Sequence, residues 1–138
     1  MTLLELYNFA EEQNIRVDAF PLGKTEALSL LDPDGDCCIA IDPFRVQSTA
    51  DEKTKLGHEL GHCMTGAFYN VLSPCDVRSR SKNRADKWEI RTLIREEALN
   101  AAVAAGHTEV WDLAEEFGVT EDLMRKAICW YQYGTLAM

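Results

Sequence analysis

The sequence predicts an α+β fold: a small antiparallel three-stranded sheet packed on a helix bearing an H-E-x-x-H motif, with a helical C-terminal half. Three observations carry that prediction. Residues 27–31 and 37–41 are largely apolar and flank Asp32-Pro33-Asp34-Gly35-Asp36, a turn composition that joins antiparallel strands. Thr49-Ala50-Asp51-Glu52 reads as a capping box that opens a helix. Beyond residue 83 the apolar positions recur at helical spacing, with Gly106 and Gly118 as stops.

Taken in order, a helix is expected over residues 2–13, where Leu3, Leu6, Tyr7 and Ala10 share a face and Asn14 ends it. Ile15 to Phe20 alternates apolar and polar residues and reads as a strand. The acid-rich turn after residue 31 is not a calcium loop, because it has no Gly after its third acid and Pro43 stands where an EF-hand needs Glu. The capped helix runs to about Met64 and ends near Gly66, with Leu56, Leu60, Cys63 and Met64 as its apolar stripe. Residues 67–80 contain Ser73-Pro74 and read as loop. A long helix from about Asn83 to Ala105 has Trp88, Ile90, Leu93 and Ile94 on its core face, and Thr108–Phe117 and Thr120–Tyr131 form a helix pair. One domain over residues 1–138 accommodates all of this: helix and sheet over 1–48, metal-site helices over 49–106, and the helix pair over 107–138.

Composition narrows the function. The chain has 138 residues, 46% hydrophobic and 27% charged, the balance of a globular protein. Lys and Arg total 14 against 23 Asp and Glu, a net charge of −9 that repels phosphate backbones and disfavours nucleic acid as a partner. Arg78, Arg80, Lys82, Arg84 and Lys87 form a basic stretch, read as a solvated face or a recognition edge for an acidic partner. No apolar run approaches the ~20 residues of a membrane span. The first 14 residues carry acids and no basic segment, so no secretory signal and a cytoplasmic location are expected. The five cysteines are odd in number and contain no C-x-x-C, which predicts reduced thiols.

The chemistry lies in His58-Glu59-Leu60-Gly61-His62. Side chains four apart share a helix face, so His58 and His62 can offer two imidazoles to one zinc ion, with Glu59 beside them to accept a proton from water. At this composition chance produces the pattern in roughly six chains per thousand, and here it falls on a helix predicted independently. Gly57 and Gly61 each cost about 1 kcal/mol in a helix interior, which implies close approach of another element to that face.

The runs GHELGHCMTGAFYN and RADKWEIRTLI, preceded by GDCCIAIDP, resemble the ImmA/IrrE-type zinc metallopeptidases of phages, prophages and mobile elements. The resemblance covers most of the chain. It implies a gluzincin-like fold, a bound Zn²⁺, His58 and His62 as ligands, Glu59 as catalytic base, and a repressor protein as substrate. It also implies a third ligand, a Glu on the next helix in a pattern like E-x-x-A-D. Ala85 and Asp86 match the end of that pattern, but Lys82 stands at the ligand position, and Arg95 replaces a proline usual in the family. A protonated lysine cannot bind zinc. Four readings stay open: Glu89 on the same face as a displaced ligand; Asp86 as a direct ligand instead of an orienting group; a two-histidine site or an impaired peptidase kept for binding; or Asp76 or Glu97 as ligand.

Weaker signals are read similarly. Tyr69 is a candidate donor to a developing oxyanion, or a packing residue. Cys63 points away from His62 and reads as core, and His107 as a solvated cap residue. Residues 112–120 resemble the turn of a helix-turn-helix, but the supposed reading helix opens Thr120-Glu121-Asp122, so the pair is read as structural.

Overall fold

The computed structural model describes residues 1–68 and 75–136. In chain order the elements are α1 (Leu3–Glu12), β1 (Arg16–Ala19), β2 (Ala27–Leu31), β3 (Cys37–Ile41), α2 (Thr49–Thr65), α3 (Cys75–Leu93), α4 (Glu96–Ala104), α5 (Val110–Phe117) and α6 (Glu121–Tyr133). The fold is α+β and mostly helical, as the sequence predicts.

α1 is closed at its start by a reciprocal cap between Thr2 and Glu5 and buries Leu6 and Ala10. β2 and β3 form the expected antiparallel hairpin, from Leu31 opposite Cys37 to Ala27 opposite Ile41. The Asp32 carboxylate accepts the amides of Asp34 and Asp36 and so builds the turn. The sheet is not all antiparallel, however: its order is β1-β3-β2, and β1 runs parallel to β3. Alternation identifies a strand without giving its direction. The most apolar strand, β3, takes the centre, with Ile39 and Ile41 buried. β2 is left as an edge.

α2 begins one register earlier than the sequence pattern suggests. The Ser48 hydroxyl, not that of Thr49, accepts the amide three residues on, at 3.0 Å from Asp51, while Asp51 accepts the Gln47 amide. Ser48-x-x-Asp51 and Thr49-x-x-Glu52 overlap in sequence, and Glu52 is engaged elsewhere, by the Tyr7 hydroxyl at 2.7 Å. The helix stops at Gly66 in the left-handed region (φ 68°). Leu56 and Leu60 are fully buried, but Met64 is exposed rather than part of the stripe.

The helix expected from Asn83 to Ala105 is two helices, and the first starts at Cys75 within the expected loop. The break falls at Arg95, whose extended backbone (φ −67°, ψ 139°) precedes α4, with Glu96 and Glu97 in that helix's favourable first turn. Neither Gly nor Pro marks it in the sequence. Gly118 (φ 65°) and the Thr120 cap separate α5 from α6, as expected. The turn between them is fastened to α2: the Lys53 ammonium donates to the Phe117 carbonyl at 2.6 Å, and the Thr120 amide donates to Thr54 Oγ1 at 3.1 Å.

The expectation of reduced thiols is corrected as well. Cys37 on β3 and Cys63 on α2 form a disulfide, with Cα atoms 5.8 Å apart. Counting cysteines cannot reveal that the start of β3 lies over the second half of α2. No described helix is long and apolar enough to cross a membrane.

Candidate metal centre

α2 and α3 pass close to each other because two glycines of α2 face α3, Gly61 against the Ala85 backbone and Gly57 against the Glu89 and Leu93 side chains. A Cβ on Gly61 would lie 2.5 Å from the Ala85 carbonyl oxygen, and one on Gly57 would lie 2.7 Å from Glu89 Oε2. This is the close approach that the two glycines imply. It sets the H-E-x-x-H face of α2 directly against Ala85, Asp86 and Glu89.

His58 and His62 turn the same end of their rings toward each other, with Nε2 atoms 3.2 Å apart and ring planes at 88°. The other ends are held. His58 Nδ1 lies 2.8 Å from Asp86 Oδ1, and His62 Nδ1 lies 2.5 Å from the Ala67 carbonyl oxygen. A carbonyl only accepts, and the Ser81 hydroxyl already gives its proton to the same carbonyl at 2.6 Å, so His62 carries its hydrogen on Nδ1. The Asp86 carboxylate fixes the same tautomer in His58. In the neutral rings, two Nε2 lone pairs therefore face one another across 3.2 Å. Two nitrogens at ~2.05 Å from one tetrahedral zinc are about 3.3 Å apart. The pair has the spacing of two ligands on one ion.

Burial pushes His62 below the usual imidazole range, with His58 adding to the effect. Burial also pushes the Asp86 carboxyl up, but its hydrogen bond to His58 and the charges of His58 and Lys126 outweigh burial and hold it below the usual range. Glu89 differs. It is 1% exposed, burial and then the Asp86 charge raise its acid well above the ordinary value, and its Oε2 has no hydrogen-bond partner among the described residues. Glu89 Oε1 is 4.0 Å from His58 Nδ1, so Asp86 and Glu89 both approach His58 from its Nδ1 end.

One donor atom each from His58, Asp86 and Glu89 lies within 4.8 Å of the others, which is a second arrangement open to a cation. The hydrogen bond from His58 to Asp86 fills that side. The Nε2 side fits a metal better, because both lone pairs there already converge. Glu59 is nearly buried, and its Oε1 accepts the Ser29 hydroxyl of edge strand β2 at 3.0 Å. A cleft of about 400 Å³ opens beside these groups, lined among others by Glu26, Lys55, His58, Glu59, Asp86 and Lys126.

The structure thus brings together His58, Glu59, His62, Asp86 and Glu89. Lys82 is exposed on α3, one turn before Asp86. Glu97 lies on α4, exposed, against a different hollow lined by Arg91 and Tyr131. Tyr69 and the side chain of Asp76 lie outside the described residues. Sequence reasoning missed Ser29, Ser81 and Lys126. Ser29 had a signal, a polar residue within an apolar strand, and so did Lys126, three residues after Leu123 on a core-facing helix. Ser81 had none.

Comparison with protein families, with curated proteins and with solved structures finds no match to this chain.

Proposed function

We propose that this chain is a zinc-dependent metallopeptidase similar to the ImmA/IrrE type, with His58 and His62 as ligands through Nε2 and Glu59 as general base. The observation that carries the reading is the pair of Nε2 atoms 3.2 Å apart, with both Nδ1 atoms committed to acceptors behind them. Zinc, when bound there, supplies a Lewis acid that polarises a carbonyl and acidifies water. The chain's own groups do the rest. Asp86 orients His58, and the Ala67 carbonyl orients His62. Glu59 takes the proton of the attacking water and returns it to the departing amine, while Ser29 steadies the oxygen of Glu59 not needed for that exchange. The unpaired edge of β2, beside Glu59, suits an extended peptide that adds as a further strand. The resemblance points to a phage or mobile-element repressor as that peptide's source, and so to a cytoplasmic setting.

A second reading has its own observation. Lys82 occupies the helix position where the similar family carries its third ligand, and it is exposed. That favours a catalytically impaired regulatory protein that binds its partner without cutting it. Elemental analysis of the native chain and of Lys82→Glu separates the two. Tight one-to-one zinc in the native chain, with peptide hydrolysis that falls at least about a hundredfold in Glu59→Gln, is the expected result. Zinc found only in Lys82→Glu would overturn the peptidase reading.

A further inference from the structure

We propose that Lys126 of α6 is a positioning residue for His58, acting through Asp86. This inference rests on the metal-site reading above and adds to it a residue from the C-terminal helix pair.

The His58 Nδ1–H is bonded to Asp86 Oδ1 at 2.8 Å, and a second acid, Glu89, stands behind it with Oε1 4.0 Å away as the alternative acceptor. Which acid takes the hydrogen decides where the far end of the ring, Nε2, points. A carboxylate held at one oxygen is still free to swing about its Cβ–Cγ bond. Asp86 is held at both: Oδ1 by His58 and Oδ2 by the Lys126 ammonium at 3.3 Å. Glu89 has no such counterpart, since its Oε2 is an orphan among the described residues. Lys126 therefore selects Asp86 over Glu89 as the acceptor. The other cation lining the cleft, Lys55, is committed to Glu26 and Asp51, each at 2.7 Å.

Lys126 is carried on a firm base. Leu123, Met124 and Ala127 around it are buried, and the turn before α6 is bonded to α2 through Lys53 and Thr54. The Lys126 side chain itself is 38% exposed, so its replacement leaves the core intact.

The test uses the full chain in two states. In metal-free protein, ¹⁵N–¹H spectra of the imidazoles are expected to show His58 as a single Nδ1–H tautomer. Lys126→Met should turn it into a tautomer mixture, and Lys126→Arg should restore it. In a chelator competition with Zn²⁺ alone, Lys126→Met should weaken zinc about three- to tenfold, less than the loss of a direct outer partner such as Asp86. Lys126→Gln, a neutral donor, should stay closer to the native chain than Lys126→Met does. An unchanged His58 signature in Lys126→Met overturns the inference. So does tighter zinc in both neutral variants, because Lys126 would then act only as a repelling charge. If the native chain binds no zinc yet His58 still responds to Lys126→Met, the metallopeptidase reading fails and the positioning role stands.

Discussion

Gly61 is the residue on which the candidate site most depends without taking part in its chemistry. Alanine is the better helix former by about 1 kcal/mol. A methyl at 61 would nonetheless meet backbone atoms of Ala85, at 2.5 Å and 2.9 Å, which cannot swing aside. Gly61→Ala is therefore expected to lower stability by about 1–3 kcal/mol in urea denaturation. At Gly57 the atoms in the way are ends of the Glu89 and Leu93 side chains, so Gly57→Ala should cost less. At this scale the sequence was highly legible for α2. His58, Glu59 and His62 follow from spacing alone, and the glycines announce a close neighbour. What spacing cannot convey is which end of a ring faces which acid. Asp86 and Glu89 lie on one helix face in the sequence, and only packing makes one the acceptor for His58 and leaves the other buried, with its acid pushed well above the ordinary value.

Among the elements, the joint between α4 and α5 makes a pH-dependent contact. His107 Nδ1 lies 2.8 Å from Asp112 Oδ2, and that hydrogen bond and charge raise the imidazole above its ordinary value of 6.5. A group whose folded value is raised binds its proton more tightly when folded. Its stabilisation is fully present below pH 6.5 and is lost as pH rises through the folded value. The melting temperature of the native chain should exceed that of His107→Gln at acid pH, and the gap should close above the folded value. A gap that widens with pH would contradict the contact. His107 as a cap residue could be read from Gly106, but its partner could not, since the four intervening residues must first form a turn. The same limit governs the mixed sheet and the break at Arg95. Local pattern finds strands and helices, whereas direction and interruption are settled by what each element packs against.

For the whole molecule, the Cys37–Cys63 bridge joins the sheet to the H-E-x-x-H helix across 26 residues. Closing a loop of that size in the unfolded chain is worth roughly 3.5 kcal/mol on chain-entropy grounds. Added reductant, or Cys63→Ser, is expected to lower unfolding free energy by about 2–4 kcal/mol, and thiol counting by mass spectrometry should find this pair protected in the native chain. If reductant leaves stability unchanged, the two cysteines act as ordinary packed thiols. The fold class was legible because composition and periodicity are global properties. The bridge was not, because it depends on two elements meeting. The Lys126–Asp86 contact has a consequence of a different kind, in the order of biosynthesis. The ribosome releases Glu59 well before Lys126, a lag of roughly 3–13 seconds at ordinary elongation rates. Throughout that interval the nascent chain carries His58 and Asp86 without the lysine that holds Asp86 Oδ2. The arrival of α6 thus sets the moment at which Asp86 gains its second partner.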